Sequence, residues 1–250
     1  MLSFETFGVK KRRQTPVIFL HGWGGDKRSW LPVIERLKTS FYGYAIDLPG
    51  FGESPLERIS TLHDYAEDIV LFLKAHAIKK AVFVGHSFGG AVSAVIASTY
   101  PDYVEKLVLI DASGIRPTRH IIQQVFEGAV GVGKEIFQLP GLKKMFPHVR
   151  KLLYSFGPLR SSDYSALNDP IKQKTFVYIL REDISDLLVK IVCPTLILWG
   201  SEDRDTPLSD GERMHTLIPQ SELFVFRGKS HFAYLEDVEV CCAHLRRFLS

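Results

Sequence analysis

The stretch Gly85-His86-Ser87-Phe88-Gly89-Gly90 decides how this chain is read. It follows the apolar run 81–84 and precedes a small-residue helical pattern over 91–100 that stops at Pro101. A serine on so tight a strand-to-helix turn is forced into a strained backbone conformation, with Oγ pointing out of the sheet. Gly85 and Gly89 are needed because a Cβ at either would collide with the neighbouring strand or helix. This is the G-x-S-x-G pattern in the strand–turn–helix context that gives it meaning. The helix N-terminus behind Ser87 also favours developing negative charge. A bare G-x-S-x-G occurs often by chance; with these flanks Ser87 is the expected nucleophile, and a purely structural turn is the alternative.

Working outward, short β-branched runs at 17–20, 44–46, 107–110, 195–198 and 223–226 read as further strands, each bounded by Gly, Pro, Asp or Ser. Most lack polar alternation, as expected of a sheet covered on both faces. Helical stripes lie between them. Thr61 and Asp64 stand at N-cap and N3 spacing before Leu62, Tyr65, Ala66, Ile69, Phe72 and Leu73. The last stripe, Val238, Cys241, Cys242, Leu245, Phe248 and Leu249, gives the adjacent cysteines a packing role. The expected class is therefore α/β, a mostly parallel, doubly wound sheet. Alternation breaks between 114 and 187, where Pro117, Pro140, Pro147, Pro158 and Pro170 cut a helical pattern into short pieces. The expected domains are a first core segment 1–113, a helical cap 114–187 and a second core segment 188–250. Phe126, Phe137, Phe146, Tyr154, Phe156, Tyr164, Phe176 and Tyr178 give the insert an apolar face to pack.

Composition closes off other classes. Of 250 residues 46% are apolar and 24% charged, which excludes disorder, and a net charge of +3 does not argue for nucleic acid. Three cysteines, Cys193, Cys241 and Cys242, make no disulfide framework and suit a reducing compartment, so a cytoplasmic location is expected. No metal-ligand spacing, secretory leader or membrane-spanning run is read, and no cofactor, nucleic-acid partner or membrane insertion is expected. The basic run Lys10-Lys11-Arg12-Arg13 reads as a charged hairpin tip between two N-terminal strands.

A serine hydroxyl needs a base, and the base needs an orienting group. Asp203, in Gly200-Ser201-Glu202-Asp203-Arg204-Asp205-Thr206-Pro207, and His231, in Gly228-Lys229-Ser230-His231-Phe232, each lie in a loop after an expected strand. Both would reach the carboxyl edge of the sheet where Ser87 points. The Gly-rich turn His21-Gly22-Trp23-Gly24-Gly25 follows another strand, and the backbone N–H groups of Trp23 and Phe88 are the expected oxyanion hole. Gly22, Trp23, Phe88 and Phe232 are the expected substrate contacts. Asp205 and Asp111 are competing carboxylates, and for Asp111 a structural role supporting the site is the expected one. His21 and His86 read as hydrogen-bonded scaffold, while His63, His76, His120, His148, His215 and His244 read as solvated.

With these residues in place, the chain resembles an α/β-hydrolase-fold enzyme with a helical cap. The resemblance rests on HGWGG at 21–25, DLPGFGES at 47–54, GHSFGG at 85–90, WGSEDRDTP at 199–207 and GKSHF at 228–232. It implies Ser87 as nucleophile, His231 as general base and acid, and Asp203 as orienting carboxylate, because the family spacing before the Pro selects Asp203 over Asp205. The HGWG turn is similar to that of the pimeloyl-acyl-carrier-protein methyl ester carboxylesterases. Relatives that open epoxides or remove halide carry Asp at the elbow, so Ser87 argues against both.

The expected activity is hydrolysis of a small to medium carboxylic ester through an acyl-serine. Carbon–carbon cleavage of a vinylogous diketone by the same groups, or a non-catalytic ligand-binding role, are the alternatives. From Gly114 to Arg160 the chain carries eight basic residues against two acidic ones, a net of +6. Solvated cap faces account for such a charge; so does docking of an acidic carrier protein. The expected assembly is a monomer or a dimer.

Overall fold

The structure is a computed structural model that describes residues 1–12, 14–116 and 169–250. Among the described residues, strands β1 (Phe4–Phe7), β2 (Val17–Leu20), β3 (Gly43–Ile46), β4 (Ala81–His86), β5 (Val104–Ile110), β6 (Thr195–Gly200) and β7 (Ser221–Phe226) form one sheet. Their order is β1-β3-β2-β4-β5-β6-β7. All neighbours from β3 to β7 run parallel, and only β1 pairs antiparallel, with β3. The carboxyl ends of six strands therefore share one edge, and that edge carries the site.

Side chains one residue apart go to opposite faces, and each face has its own core. Ile18, Leu20, Phe83, Leu107, Leu109, Ile197 and Trp199 pack with α2 (Leu62–Ala75), α3 (Phe88–Thr99) and α6 (Leu208–Leu217). Val17, Phe19, Val82, Val84, Val108, Ile110, Leu196 and Leu198 pack with α1 (Leu31–Leu37) and α8 (Val238–Leu249). This is the double covering that the unalternating runs imply. Thr61 and Asp64 close the capping box of α2, and Cys241 and Cys242 are free and buried on the inner face of α8. Three further α-helices are α4 (Pro170–Ile179), α5 (Ser185–Leu188) and α7 (Ala233–Glu236), and 3-10 turns lie at Lys27–Trp30 and Pro101–Tyr103.

Two expectations need correction. The basic run at 10–13 is no hairpin tip, because β3 lies between β1 and β2 and the two N-terminal strands never pair. Lys10, Lys11 and Arg12 are exposed on the crossing connection. His76 and His244 are half-buried rather than solvated. The His76 ring lies 4.1 Å from that of Phe72, and the His244 ring 3.8 Å from that of Phe224. Of the expected cap 114–187, only its two ends are described. The aromatics from Phe126 to Tyr164, with His120 and His148, lie outside the described residues, as does all of the basic excess except Arg116. Among the described residues no helix is long and apolar enough to cross a membrane.

Candidate active site

Ser87 sits at φ +50°, ψ −114°, between the end of β4 and the start of α3. A left-handed backbone costs a non-glycine residue free energy, so neighbours must enforce it. Ser87 N–H donates to the Ile110 carbonyl at 3.0 Å, and its own carbonyl accepts from Ser113 N–H at 3.0 Å. The elbow is thus tied to the end of β5. A Cβ on Gly85 would lie 2.3 Å from the Gly89 carbonyl oxygen, and one on Gly89 would lie 2.2 Å from that of Leu20. The two flanking glycines are therefore packing requirements: α3 lies directly on β2 and β4.

His231 reaches this edge from the loop after β7. Its Nε2 lies 3.0 Å from Ser87 Oγ, and its Nδ1 lies 2.8 Å from Asp203 Oδ2. The carboxylate can only accept, which puts the proton on Nδ1 and leaves Nε2 free to receive the serine hydrogen. Asp203 Oδ1 accepts from the N–H groups of Asp205 and Thr206 at 2.8 and 2.9 Å, and Oδ2 accepts from Thr206 Oγ1 at 2.7 Å. Burial alone would raise the Asp203 pKa. The His231 bond and the Thr206 N–H outweigh it, so the carboxyl titrates below its usual value. Burial would lower the His231 pKa, but the Asp203 bond and the charges of Asp203, Asp111 and Asp205 raise it above its ordinary value.

The structure therefore brings Ser87, His231 and Asp203 together, and leaves Asp205 exposed, its N–H donating to Asp203 Oδ1. Asp203, Asp205 and His231 offer ligand atoms within 4.8 Å of one another, but the Asp203 and His231 atoms that face each other are already paired.

His21 and His86 are buried scaffold, as expected. His21 Nε2 accepts from Leu48 N–H at 3.0 Å, so its Nδ1–H donates to the Gly22 carbonyl at 2.8 Å. Gly25 N–H reaches the same carbonyl at 3.1 Å. In a trans peptide the carbonyl of one residue and the N–H of the next point oppositely. Fixing the Gly22 carbonyl thereby fixes the direction of Trp23 N–H. Gly22 itself lies so close to the elbow that a Cβ there would come within 3.3 Å of Ser87 Cβ. Neither Trp23 N–H nor Phe88 N–H meets an acceptor among the described residues; for Phe88 this is expected of the first N–H of a helix without a side-chain cap. Of the four expected substrate contacts, Gly22 and Phe88 are buried, Trp23 is half-buried, and Phe232 is 49% exposed with its ring 5.4 Å from that of His231.

One contribution, that of Thr206, escaped the sequence reading, and a second, that of Asp111, was expected without its partners. Thr206 donates into Asp203, and the signal for it is the Asp-x-x-Thr spacing of a side-chain-closed turn before Pro207. Asp111, whose structural role is expected over that of a competing acid, is wholly buried at φ +44°. Its Oδ1 accepts from Gly200 N–H at 2.7 Å, and its carbonyl lies 3.1 Å from Thr206 Oγ1. Burial, with the nearby Asp203 charge, pushes its pKa up to about 8. It braces the loop that carries Asp203 and does not replace it.

A doubly wound sheet with a serine on a strained turn, hydrogen-bonded to a histidine from the loop after the last strand, defines the α/β-hydrolase class. The chain belongs to that family: the model of the α/β hydrolase fold matches residues 15–238. It is similar to the pimeloyl-[acyl-carrier protein] methyl ester esterase of Vibrio vulnificus, 27% identical over 255 residues and covering 93% of each chain. Among solved structures it is similar in fold to a hydrolase from Pseudomonas aeruginosa, with a TM-score of 0.75 at 21% identity, covering 100% of this chain and 94% of that one. The meta-cleavage product hydrolase of Pseudomonas fluorescens gives a TM-score of 0.70 at 24% identity, covering 99% and 93%.

Proposed function

We propose that this protein is a serine hydrolase that cleaves a carboxylic ester through an acyl-serine intermediate. The observation that carries the reading is the hydrogen-bonded chain from Ser87 Oγ to His231 at 3.0 Å and on to Asp203 at 2.8 Å. His231 Nε2 takes the hydroxyl proton as Oγ attacks the ester carbonyl carbon. The tetrahedral oxyanion is met by Trp23 N–H and Phe88 N–H, with the N-terminus of α3 adding favourable potential. Asp203 stabilises the imidazolium, which then protonates the leaving alkoxide. Water attacks the acyl-serine with His231 again as base, releasing the acid and restoring the serine.

The relative that acts on a pimeloyl-carrier methyl ester supports an ester as substrate. The excess of +6 over 114–160 supports an acidic carrier protein as its bearer. The same three side chains also serve carbon–carbon cleavage, so the assay needs two arms. Turnover of p-nitrophenyl esters of graded chain length, with no turnover of a dienoic diketone, is the expected result. The reverse pattern would overturn the ester assignment.

A further inference from the structure

The half-buried Trp23 ring is held by three others. Phe51 lies 4.8 Å away between centroids, Phe88 5.3 Å and Phe176 4.7 Å. Phe51 belongs to the 47–54 turn and Phe88 opens α3, so both come from the sheet edge. Phe176 comes from α4 and is itself buried. That helix is docked independently of Trp23. Thr175 Oγ1 accepts from Ser60 N–H at 3.2 Å, and Lys172 Nζ donates to the Gly50 carbonyl while lying 4.1 Å from the Phe51 ring centroid. Just beyond α4, Glu182 accepts from Leu62 N–H at 3.0 Å.

The backbone around Trp23 has little else to hold it on one side. Gly24 follows at φ +79°, and a Cβ there would meet nothing within 4 Å. The Gly22 carbonyl is fixed by His21 and Gly25, which leaves the Trp23 side chain as the second anchor of the turn. Phe88, whose N–H is the other proposed oxyanion donor, also packs against that ring.

We propose that Phe176 is a positioning residue for the oxyanion turn: its ring closes the aromatic clamp on Trp23 and so fixes Trp23 N–H opposite Phe88 N–H. This rests on the serine hydrolase reading above. Helix α4 thereby couples the end of the cap segment to the reaction centre without touching substrate. Misplacing a donor by about 1 Å can cost as much as about a hundredfold in rate, so loss of one clamp ring should cost about tenfold.

The test is a double-mutant cycle of Trp23→Ala and Phe176→Ala, with kcat and KM measured on a p-nitrophenyl ester and folding followed by thermal melting. Phe176→Ala is expected to lower kcat about tenfold with KM changed less than about twofold. Phe176→Tyr, which keeps the ring, should restore most of the rate. In the Trp23→Ala background the Phe176 loss should vanish. An undiminished loss in that background, or a change confined to KM, would overturn the clamp. Should Phe176→Ala fail to fold, Phe176→Leu runs the same cycle. Fluorophosphonate labelling of the wild type separates the two levels: a labelled wild type with an additive cycle overturns the clamp alone, while an unlabelled wild type overturns the hydrolase reading and this one together.

Discussion

His86, immediately before the serine, donates from Nε2 to the backbone carbonyl of His231 at 2.8 Å. The elbow is thus joined to the proposed base twice, once through the Ser87 side chain and once through the ring beside it. Burial, and next the neighbouring His231, push the His86 pKa down to about 3, so it is neutral at neutral pH and does not oppose an imidazolium at His231. Replacing it by Leu leaves a buried carbonyl without its donor, at a cost of about 1–3 kcal/mol. His86→Leu should lower kcat by about tenfold, whereas His86→Gln, which can still donate, should keep most of it. Steady-state kinetics beside thermal melts check this, and equal rates for the two variants would sink it.

The raised His231 pKa has a direct kinetic consequence. Catalysis needs the neutral ring, so kcat/KM should rise with pH through a midpoint above about 6.5. Asp203→Asn removes the charge, and with it the charge-assisted bond, that raises that pKa. Its midpoint should move to lower pH while the plateau falls by roughly a hundredfold or more. Asp205→Asn, altering an exposed group, should stay within about twofold of the wild type. The pH profiles of the three proteins decide between the carboxylates.

Asp111 should be visible in stability rather than in rate. Its folded pKa of about 8 lies above the ordinary 3.8, so between these values the folded chain holds a proton that the unfolded chain has lost. Its contribution to stability is therefore fully present below about 3.8 and declines as pH rises towards 8. Asp111→Asn keeps an acceptor for Gly200 N–H and removes the titration. The variant should gain on the wild type by on the order of 4 kcal/mol between pH 5 and pH 8, measured by denaturant unfolding. A constant difference between the two proteins across that range would contradict it.

Gly89→Ala tests the close approach of α3 to β2. The new Cβ would lie 2.2 Å from the Leu20 carbonyl oxygen, a backbone atom that cannot swing aside. A loss of about 3 kcal/mol or more is expected from overpacking and backbone shift. A melting temperature within a degree or two of the wild type would show that the contact is looser than described.

What the sequence discloses depends on how local the cause is. β2 has the bounds 17–20 that its β-branched run implies, and the Thr61–Asp64 box and the apolar face of α8 follow from spacing alone. Ser87, Asp203 and His231 were legible because each follows its strand at the same sheet edge. The pairing of β1 with β3 was not, since nothing near residues 4–7 says which strand they will meet. Thr206, the partners of Asp111 and the His86–His231 bond escaped for the same reason: each acts through a partner set by the fold. His76 and His244 misled because their helical positions look exposed until Phe72 and Phe224 are placed beside them.

The central claim is that Ser87 is the activated nucleophile. Reaction with a fluorophosphonate, followed by intact mass and peptide mapping, tests it most directly. The wild type should take up one adduct, on the peptide containing Ser87. Ser87→Ala, with an unchanged melting curve, should take up none. An adduct that persists in Ser87→Ala, or that maps to another residue in the wild type, would contradict the account.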